Sequence, residues 1–274
     1  MSDLLIHSMA EFSSLILPCL DEAKVQHISE IGSEFGPMSK LLAARAEEIG
    51  GSLTCIDPAP AADFAEWAEQ QDVVNHVAKT SLTALEEQGS SLAADAWLID
   101  GDHNYYTVLH ELKAIDAIQK EAGKPLLAFA HDVSWPCARR DFYYAPEQIP
   151  PGWRHPHSFD HGVILGDDRV FEGRGLRGMG QFAIALSAGG PRNGVLTAIE
   201  DFLKEADSEE RPLFYVHVPA VLGLGVIFDA SADWSKPIAE FLLPYHGNPL
   251  IARLEENRLR NWLEVIEWQD RSAA

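Results

Sequence analysis

The sequence predicts an α/β fold in which helices cover both faces of a doubly wound, mostly parallel sheet. Apolar runs at 94–99 and 125–130 have the length of strands and flank a stretch of helical periodicity at 105–121. These runs are continuously apolar, as expected for strands that are buried on both faces of a sheet. A glycine-containing turn at 32–36 and an acidic residue, Asp57, follow the first two strands. Together these observations favour alternating strand–helix units.

Length and composition favour one domain over residues 1–274. A chain of 274 residues with 46% hydrophobic content suits one sizeable α/β domain that carries an insertion. The net charge of −21 repels phosphate backbones and anionic membranes. We therefore expect a small-molecule partner and neither nucleic acid nor membrane. The cysteines (Cys19, Cys55 and Cys137) have no metal-type spacing, which favours a reducing, cytoplasmic location.

The first turn is a candidate cofactor site. Gly32 and Gly36 follow an apolar strand that carries Glu30, and a helical pattern begins directly after them. Glycine lets a ligand approach the backbone, and the start of a helix offers unpaired N–H groups. The second strand, 52–56, ends at Asp57, where a doubly wound sheet would hold a pair of ribose hydroxyls. We expect a nucleotide-like ligand here, and the alternative is an ordinary strand–helix turn that binds nothing.

The spacing of this turn argues against a dinucleotide. The dinucleotide fingerprint needs three glycines, whereas here Gly32 and Gly36 are separated by Ser33, Glu34 and Phe35. Glu34 would bring negative charge towards a pyrophosphate, but a cationic sulfonium ligand suffers no such repulsion. The pattern E-x-G-x-x-x-G, followed by a strand that ends in Asp, resembles motif I of class I S-adenosylmethionine-dependent methyltransferases.

Acidic and histidine residues follow two later strands. The two clusters are Asp100-Gly101-Asp102-His103 and His131-Asp132. Because the carboxyl ends of parallel strands form the ligand-binding edge of such sheets, the clusters can converge on one point. Carboxylate oxygens suit Mg²⁺, and added imidazole would also tolerate Mn²⁺ or Zn²⁺. We expect Asp100 and Asp132 to be functional, whereas Asp102 is better interpreted as a helix cap or a solvated loop residue.

The order strand-IDGDHNY, helix, strand-HD resembles the macrocin O-methyltransferase and cephalosporin-hydroxylase-like group of class I methyltransferases. The resemblance runs from about Glu30 to Asp132. It implies a Rossmann-like, seven-stranded sheet with a lid inserted after strand five. It also implies a divalent cation bound by Asp100, His131 and Asp132, with His131 replacing the first acid of a pair, and His103 as general base. The implied cofactor contacts are Glu30, Gly32, Ser33, Gly36, Asp57, Thr80, Ser81 and Asp100.

This resemblance implies O-methylation of a sugar or secondary metabolite with S-adenosylmethionine. Sugar hydroxyls have very high pKa values, so a neutral histidine alone is a poor base for them. A cation that binds the hydroxyl stabilises the developing alkoxide, after which His103, beside Asp100, can accept the proton. His103 could equally hydrogen-bond the adenine end of the cofactor. A nicotinamide-dependent oxidoreductase and a non-catalytic binding protein on the same sheet are the alternative functions.

A lid segment, residues 133–192, interrupts the regular alternation of strands and helices. It is rich in aromatic residues, which favours a folded lid over a disordered loop. Within the lid, the guanidinium of Arg139 can bind a phosphate or carboxylate of a substrate, and aromatic side chains can stack on a substrate ring. The alternative is that these side chains only pack within the lid. The candidate substrate contacts are Trp135, Arg139, Tyr143 and Tyr144.

A charged amphipathic helix is predicted over residues 248–270. Its apolar stripe requires a packing partner, which is either this subunit or a second copy in a homodimer. The stripe consists of Leu254, Leu259, Trp262 and Ile266.

Overall fold

A computed structural model describes residues 6–273. The helices are α1 (Ser13–Glu22), α2 (Pro37–Ile49), α3 (Ala62–Ala68), α4 (Ser81–Gln88), α5 (Tyr105–Ala122), α6 (Val195–Ser208), α7 (Ser235–Leu242) and α8 (Pro249–Ala273). The strands are β1 (His27–Ile31), β2 (Ser52–Ile56), β3 (Val74–Val77), β4 (Ala96–Ile99), β5 (Leu127–His131), β6 (Phe142–Tyr143), β7 (His157–Ser158), β8 (His161–Ile164), β9 (Asp167–Glu172), β10 (Ala183–Ala185), β11 (Leu213–Val218) and β12 (Leu224–Asp229).

A seven-stranded sheet forms the centre of the molecule, with the strand order β11-β12-β5-β4-β1-β2-β3. The strands from β3 to β5 are parallel, whereas β12 runs antiparallel to both of its neighbours, β5 and β11. Ile31 pairs in register with Ile56 and Ile99, and Ile99 pairs with Ala130. The residues that follow these strands therefore meet at one edge. The predicted doubly wound, mostly parallel seven-stranded α/β fold is confirmed.

The hydrophobic core lies on both faces of this sheet. In β4, Trp97 and Ile99 pack with α4, α5 and α6, whereas Ala96 and Leu98 pack with α1, α2, α3 and α7. All four β4 residues are buried. Each fully buried large apolar side chain contributes about 1.5–3 kcal/mol relative to its exposed state. This two-sided burial explains why the strand sequences are continuously apolar.

The lid segment lies between β5 and α6 and contains two small antiparallel sheets, β6-β10-β7 and β8-β9. The buried carboxylate of Asp141 fastens it to the main body. Its oxygens accept hydrogen bonds from the backbone N–H groups of Tyr105 and Gly194, both at 2.7 Å, and from the Tyr143 hydroxyl at 2.7 Å. Since Tyr105 and Gly194 mark the starts of α5 and α6, one carboxylate joins the lid to both helices.

The last helix, α8, divides its predicted apolar stripe between the core and the surface. Leu259 is buried, Trp262 and Ile266 are half-buried, and Leu254 is 61% exposed. The helix therefore packs on its own subunit through part of the stripe only. Within residues 6–273, no helix combines the length and the apolarity that crossing a membrane requires.

Candidate functional site

The first turn at the carboxyl edge of the sheet can be built only with glycine at two positions. Gly32 has a φ of 83°, and a Cβ atom on it would lie 2.1 Å from the carbonyl oxygen of Asp100. Gly36 has a φ of 75°, and its Cβ would lie 2.4 Å from the Phe64 ring. Left-handed backbone is costly for other residues, and these contacts add a steric clash. The turn therefore lies directly against the backbone that follows β4.

Asp57, which follows β2, holds the same turn closed. Its Oδ2 accepts hydrogen bonds from the N–H groups of Ser33 at 2.9 Å and Glu34 at 3.0 Å. Its Oδ1 accepts from the N–H of Ala59 at 2.9 Å. The side chain thus lies at the position predicted for a ribose-binding acid, but its oxygens already pair with backbone. A ribose would have to share these oxygens with the turn.

Glu30, predicted as a cofactor contact, lies beneath the turn. It is buried, and its carboxylate accepts hydrogen bonds from the hydroxyls of Ser39 and Ser33 and from the thiol of Cys55. Burial raises the pKa of Glu30 to about 7, against the lowering effect of these three hydrogen bonds. In this arrangement Glu30 supports the turn from the α2 side of the sheet.

Thr80 and Ser81 lie at the start of α4, on the carboxyl side of β3. Thr80 is the residue before the helix, and its hydroxyl donates a hydrogen bond to the Thr83 hydroxyl at 2.8 Å. Ser81 is buried as the first helical residue. Both therefore lie on the sheet edge that carries the glycine turn, as the sequence predicted.

Two carboxylates and two imidazoles alternate where β4 and β5 end. The Nε2 atom of His103 lies 3.2 Å from Oδ2 of Asp132 and 3.5 Å from Oδ1 of Asp100. The Nδ1 atom of His131 lies 3.1 Å from Oδ1 of Asp100 and 3.4 Å from Oδ2 of Asp132. Asp132 also has a left-handed φ of 58°, a strained conformation of the kind that clusters at functional sites. The structure thus brings the two predicted clusters together.

His131 has a hydrogen-bond acceptor next to each of its ring nitrogens. Its Nε2 atom donates to the carbonyl oxygen of Val221 at 2.9 Å, and its Nδ1 atom faces Asp100. Both partners are acceptors only, so both ring nitrogens carry protons. Burial alone would lower the pKa of His131, but Asp100 and Asp132 raise it well above the ordinary value. For His131 to act as the predicted metal ligand, its Nδ1 atom would have to give up its proton to the cation.

His103 is the imidazole that fits a cation site with Asp100 and Asp132. One ligand atom from each of these three residues lies within 4.8 Å of the other two. The buried Nε2 atom of His103 has no well-oriented hydrogen-bond partner among residues 6–273. Burial opposes its protonation, but Asp132 and Asp100 raise the pKa of His103 to about 9. Burial likewise opposes ionisation of Asp100, yet His131 and His103 lower its pKa to about 2.

Asp102, interpreted from the sequence as a cap or loop residue, joins the network at the start of α5. It accepts hydrogen bonds from the Asn104 side chain at 2.5 Å and from the Thr107 hydroxyl at 3.2 Å. Asn104 in turn caps α5 by accepting the N–H of Thr107. Asp102 therefore orders the turn that presents His103.

One of the four predicted substrate contacts lies against the cluster. The Tyr144 ring centroid is 5.9 Å from that of His103, and its side chain is half exposed. Tyr143, by contrast, is fully buried and donates its hydroxyl to Asp141. Arg139 pairs with both carboxylate oxygens of Glu200 at 2.6 Å, and Trp135 packs against the core. The structure thus places Tyr144 against the cluster, whereas Trp135, Arg139 and Tyr143 have their described contacts elsewhere.

Sequence reasoning missed two features of the site. Phe35, inside the glycine turn, is 64% exposed. Its position between two glycines was the only available signal. The carbonyl group of Val221 reaches His131 from the turn between β11 and β12, about ninety residues further along the chain. No pattern in the sequence predicts that contact.

Comparison with known proteins finds a family model that matches part of this chain. Residues 29–127, from β1 to the start of β5, match the model of a family described as "Methyltransferase domain". No curated protein matches the chain. The Bacillus cereus O-methyltransferase in complex with SAH is a similar solved structure, with 13% identity over 83% of this chain and 85% of that chain and a TM-score of 0.48. SAH-bound Podospora anserina methyltransferase PaMTH1 has 13% identity over 82% of this chain and 80% of that chain, with a TM-score of 0.45.

Proposed function

We propose that this chain, a class I S-adenosylmethionine-dependent methyltransferase by its fold and its family match, methylates a hydroxyl oxygen of a small molecule. The supporting observation is the cluster of Asp100, His103, His131 and Asp132 beside the Gly32 turn. The sulfonium methyl group would lie between the turn and the cluster. In the cofactor site, Gly32, Ser33 and Gly36 would contact the cofactor, Asp57 its ribose, and Thr80 and Ser81 its adenine.

The cluster suits a hydroxyl acceptor because a hydroxyl must lose its proton to become a good nucleophile. A base within hydrogen-bond reach of the acceptor supplies this step. We assign that role to Nε2 of His103, with Asp100 orienting the ring. Since the raised pKa of His103 keeps it protonated near neutrality in the free protein, it must first lose that proton. The remaining rate enhancement comes from aligning the hydroxyl with the methyl group.

The arrangement of carboxylates also fits a divalent cation such as Mg²⁺. We propose that Asp100 and Asp132 would hold it, because each offers a carboxylate oxygen to the same point. When bound, the ion would stabilise the alkoxide that develops on the acceptor. Its charge would also lower the pKa of His103, whose Nε2 could then accept a proton. His103 as a third ligand is the alternative assignment.

The surroundings of the cluster suit a ring-shaped acceptor, such as a sugar or a secondary metabolite. Tyr144 is 52% exposed and Phe35 is 64% exposed, so both offer aromatic faces at the site. Such faces stack on rings with little loss of side-chain entropy. We propose that the lid segment covers this acceptor and that the enzyme works on it in the cytoplasm.

Two variants separate the base from the cation ligands. For His103→Gln, we expect kcat to fall at least about 100-fold, because a positioned base typically contributes that much. Its Mn²⁺ affinity, measured by electron paramagnetic resonance, should remain close to wild type. Asp132→Asn should lose Mn²⁺ binding, and chelation with EDTA should lower wild-type turnover. Asp160→Asn, an exposed acid in the lid, serves as the control.

These variants also test the alternative assignments. Loss of Mn²⁺ by His103→Gln would make His103 a ligand and not the base. Full methyl transfer by both variants would contradict the proposed catalytic cluster.

A further inference from the structure

The turn between β11 and β12 has an unfavourable backbone. Val221, Leu222 and Gly223 have consecutive left-handed φ values of 45°, 67° and 95°. This conformation is rare for residues with a side chain, and for a β-branched residue such as valine it is an outlier. It persists only where the surrounding structure holds it in place.

The C-terminal helix supplies the group that holds this turn. Oε1 of Glu255 in α8 accepts a hydrogen bond from the N–H of Leu222 at 2.9 Å. Burial would raise the pKa of Glu255, but Arg258 and the backbone N–H groups of Leu222 and Val221 lower it. Successive N–H groups in such a turn form a concave site for an anion. Here a carboxylate of the same chain occupies that site.

Glu255 is itself held firmly in place. Arg258 donates two hydrogen bonds to its carboxylate, each at 2.7 Å. The same guanidinium donates to the carbonyl oxygen of Ile6 at 2.8 Å. Glu255 is buried on the side of α8 that faces its own subunit. Its position is therefore fixed by α8 and by the first described residues of the chain.

The opposite side of the turn contacts the candidate active site. The carbonyl oxygen of Val221 accepts the Nε2 proton of His131 at 2.9 Å, and that of Leu222 accepts the N–H of Ser134 at 2.7 Å. A Cβ atom on Gly223 would lie 2.4 Å from the Ser134 hydroxyl, so the turn is packed tightly on this segment. Its conformation thus determines where the hydrogen-bond acceptor of His131 lies.

We propose that Glu255 is a positioning residue, which orients His131 between Asp100 and Asp132 by fixing the carbonyl group of Val221. Through this connection α8, which contributes no side chain to the cluster, sets the geometry of the cluster. The Glu255 carboxylate stabilises the strained turn, and the turn directs the carbonyl group of Val221 at Nε2 of His131. The Nδ1 proton of His131 then points at Asp100 and Asp132. The catalytic consequence rests on the proposed methyl transfer, whereas the positioning itself does not.

The test compares Glu255→Ala and Glu255→Gln with Leu259→Ala, a control that weakens the packing of α8 and leaves the carboxylate in place. Nuclear magnetic resonance of protein with nitrogen-15-labelled histidine reports the Nε2–H of His131, assigned with His131→Gln. We expect Glu255→Ala to shift this resonance and to speed its exchange with water. Glu255→Gln should show a smaller change, because an amide oxygen still accepts one N–H.

Kinetics give the second readout. We expect Glu255→Ala to lower kcat about 10- to 100-fold with little change in the KM for S-adenosylmethionine, since misplacing a catalytic group has effects of this size. An unchanged His131 resonance in Glu255→Ala would overturn the proposal. The proposal would also be overturned if Leu259→Ala and Glu255→Ala had the same melting temperature and showed the same shift of the His131 resonance. If wild-type protein methylates no acceptor, the proposed function fails, and the resonance measurement still decides the role of Glu255.

Discussion

Individual residues at the site adopt backbone conformations that few side chains permit. Gly32 and Asp132, which follow β1 and β5, have φ values of 83° and 58°. For Gly32 the constraint is steric as well, because any Cβ atom would overlap the backbone of Asp100. Gly32 therefore brings the glycine turn directly against the backbone of Asp100, one of the four residues of the Asp–His cluster.

The steric requirement at Gly32 can be separated from its φ requirement. Gly50 also has a left-handed φ, 67°, but no atom lies within 4 Å of a Cβ added there. Gly50→Ala should therefore cost only about 1–2 kcal/mol in the free energy of unfolding. Gly32→Ala should cost more and should abolish binding of S-adenosylmethionine. Urea unfolding measures the stability of the two variants, and titration calorimetry measures their affinity for S-adenosylmethionine. Equal affinity in Gly32→Ala and Gly50→Ala would contradict the close packing of the turn against Asp100.

The raised pKa of His103 predicts a pH dependence of stability. The pKa of His103 in the folded protein, about 9, lies above the ordinary histidine value of 6.5, so this stabilisation is complete below about pH 6.5 and is lost as pH rises through 9. Compared with His103→Gln, the wild-type advantage in unfolding free energy should fall by up to about 3 kcal/mol over that range. Urea unfolding in EDTA measures it. If the difference in unfolding free energy between wild type and His103→Gln did not vary with pH, Asp132 and Asp100 would not raise the pKa of His103.

At the scale of elements, periodicity predicted most of the central fold. The strand predicted over 52–56 is observed with those bounds, and the helix predicted over 105–121 is Tyr105–Ala122. The small sheets of the lid were not predicted, because strands such as Phe142–Tyr143 are too short to show a period. Helix α7 also went unpredicted.

The candidate site was predictable in part, because two of its residues follow strands that the apolar pattern predicts. Asp100 and Asp132 follow long apolar strands, so their convergence could be inferred from sheet topology. The pairing of Arg139 with Glu200 joins residues 61 positions apart and depends on how the lid docks on α6. The burial of Tyr143 beside the exposed Tyr144 depends on a strand of two residues. Contacts of this kind arise from tertiary packing, which local sequence patterns do not encode.

The attachment of the lid depends on Asp141, and this gives a prediction for the element as a whole. Asp141→Asn replaces a carboxylate that accepts two backbone N–H groups and one hydroxyl. Hydrogen bonds to charged groups contribute about 1.5–3 kcal/mol to stability, so we expect the free energy of unfolding to fall by at least this amount. Limited proteolysis within residues 133–192 should become faster. The exposed lid residue Asp160 provides the control Asp160→Asn, and equal cleavage rates in both variants would contradict the fastening role.

For the whole molecule, the exposed side of α8 suggests how two copies would associate. Leu250, Leu254, Val265 and Trp268 lie on one face of the helix and are 66%, 61%, 41% and 68% exposed. In an antiparallel pair of α8 helices, Leu250 would meet Trp268 of the second copy and Leu254 would meet its Val265. We propose a homodimer through this face. Its formation must overcome repulsion between two chains of net charge −21.

The dimer proposal predicts that association depends on one apolar face and on salt. Leu254→Glu should give a monomer, because it buries a charge opposite an apolar side chain. Met179→Glu changes a side chain that is 80% exposed in the lid and should leave the dimer intact. Raising ionic strength should strengthen wild-type association, since screening weakens the repulsion. Light scattering after size-exclusion chromatography measures each case, and a wild-type monomer at all salt concentrations would refute the proposal.

The most direct test of the proposed function is mass spectrometry of the products formed from S-adenosylmethionine with a deuterated methyl group. The acceptors would be matched sets of glycosides, phenols, amines and carboxylic acids, supplied with Mg²⁺. The account predicts that the label appears only on hydroxyl oxygens and that His103→Gln greatly reduces its transfer. Transfer to nitrogen or to carboxylates in preference to hydroxyls, or undiminished transfer by the variant, would contradict it.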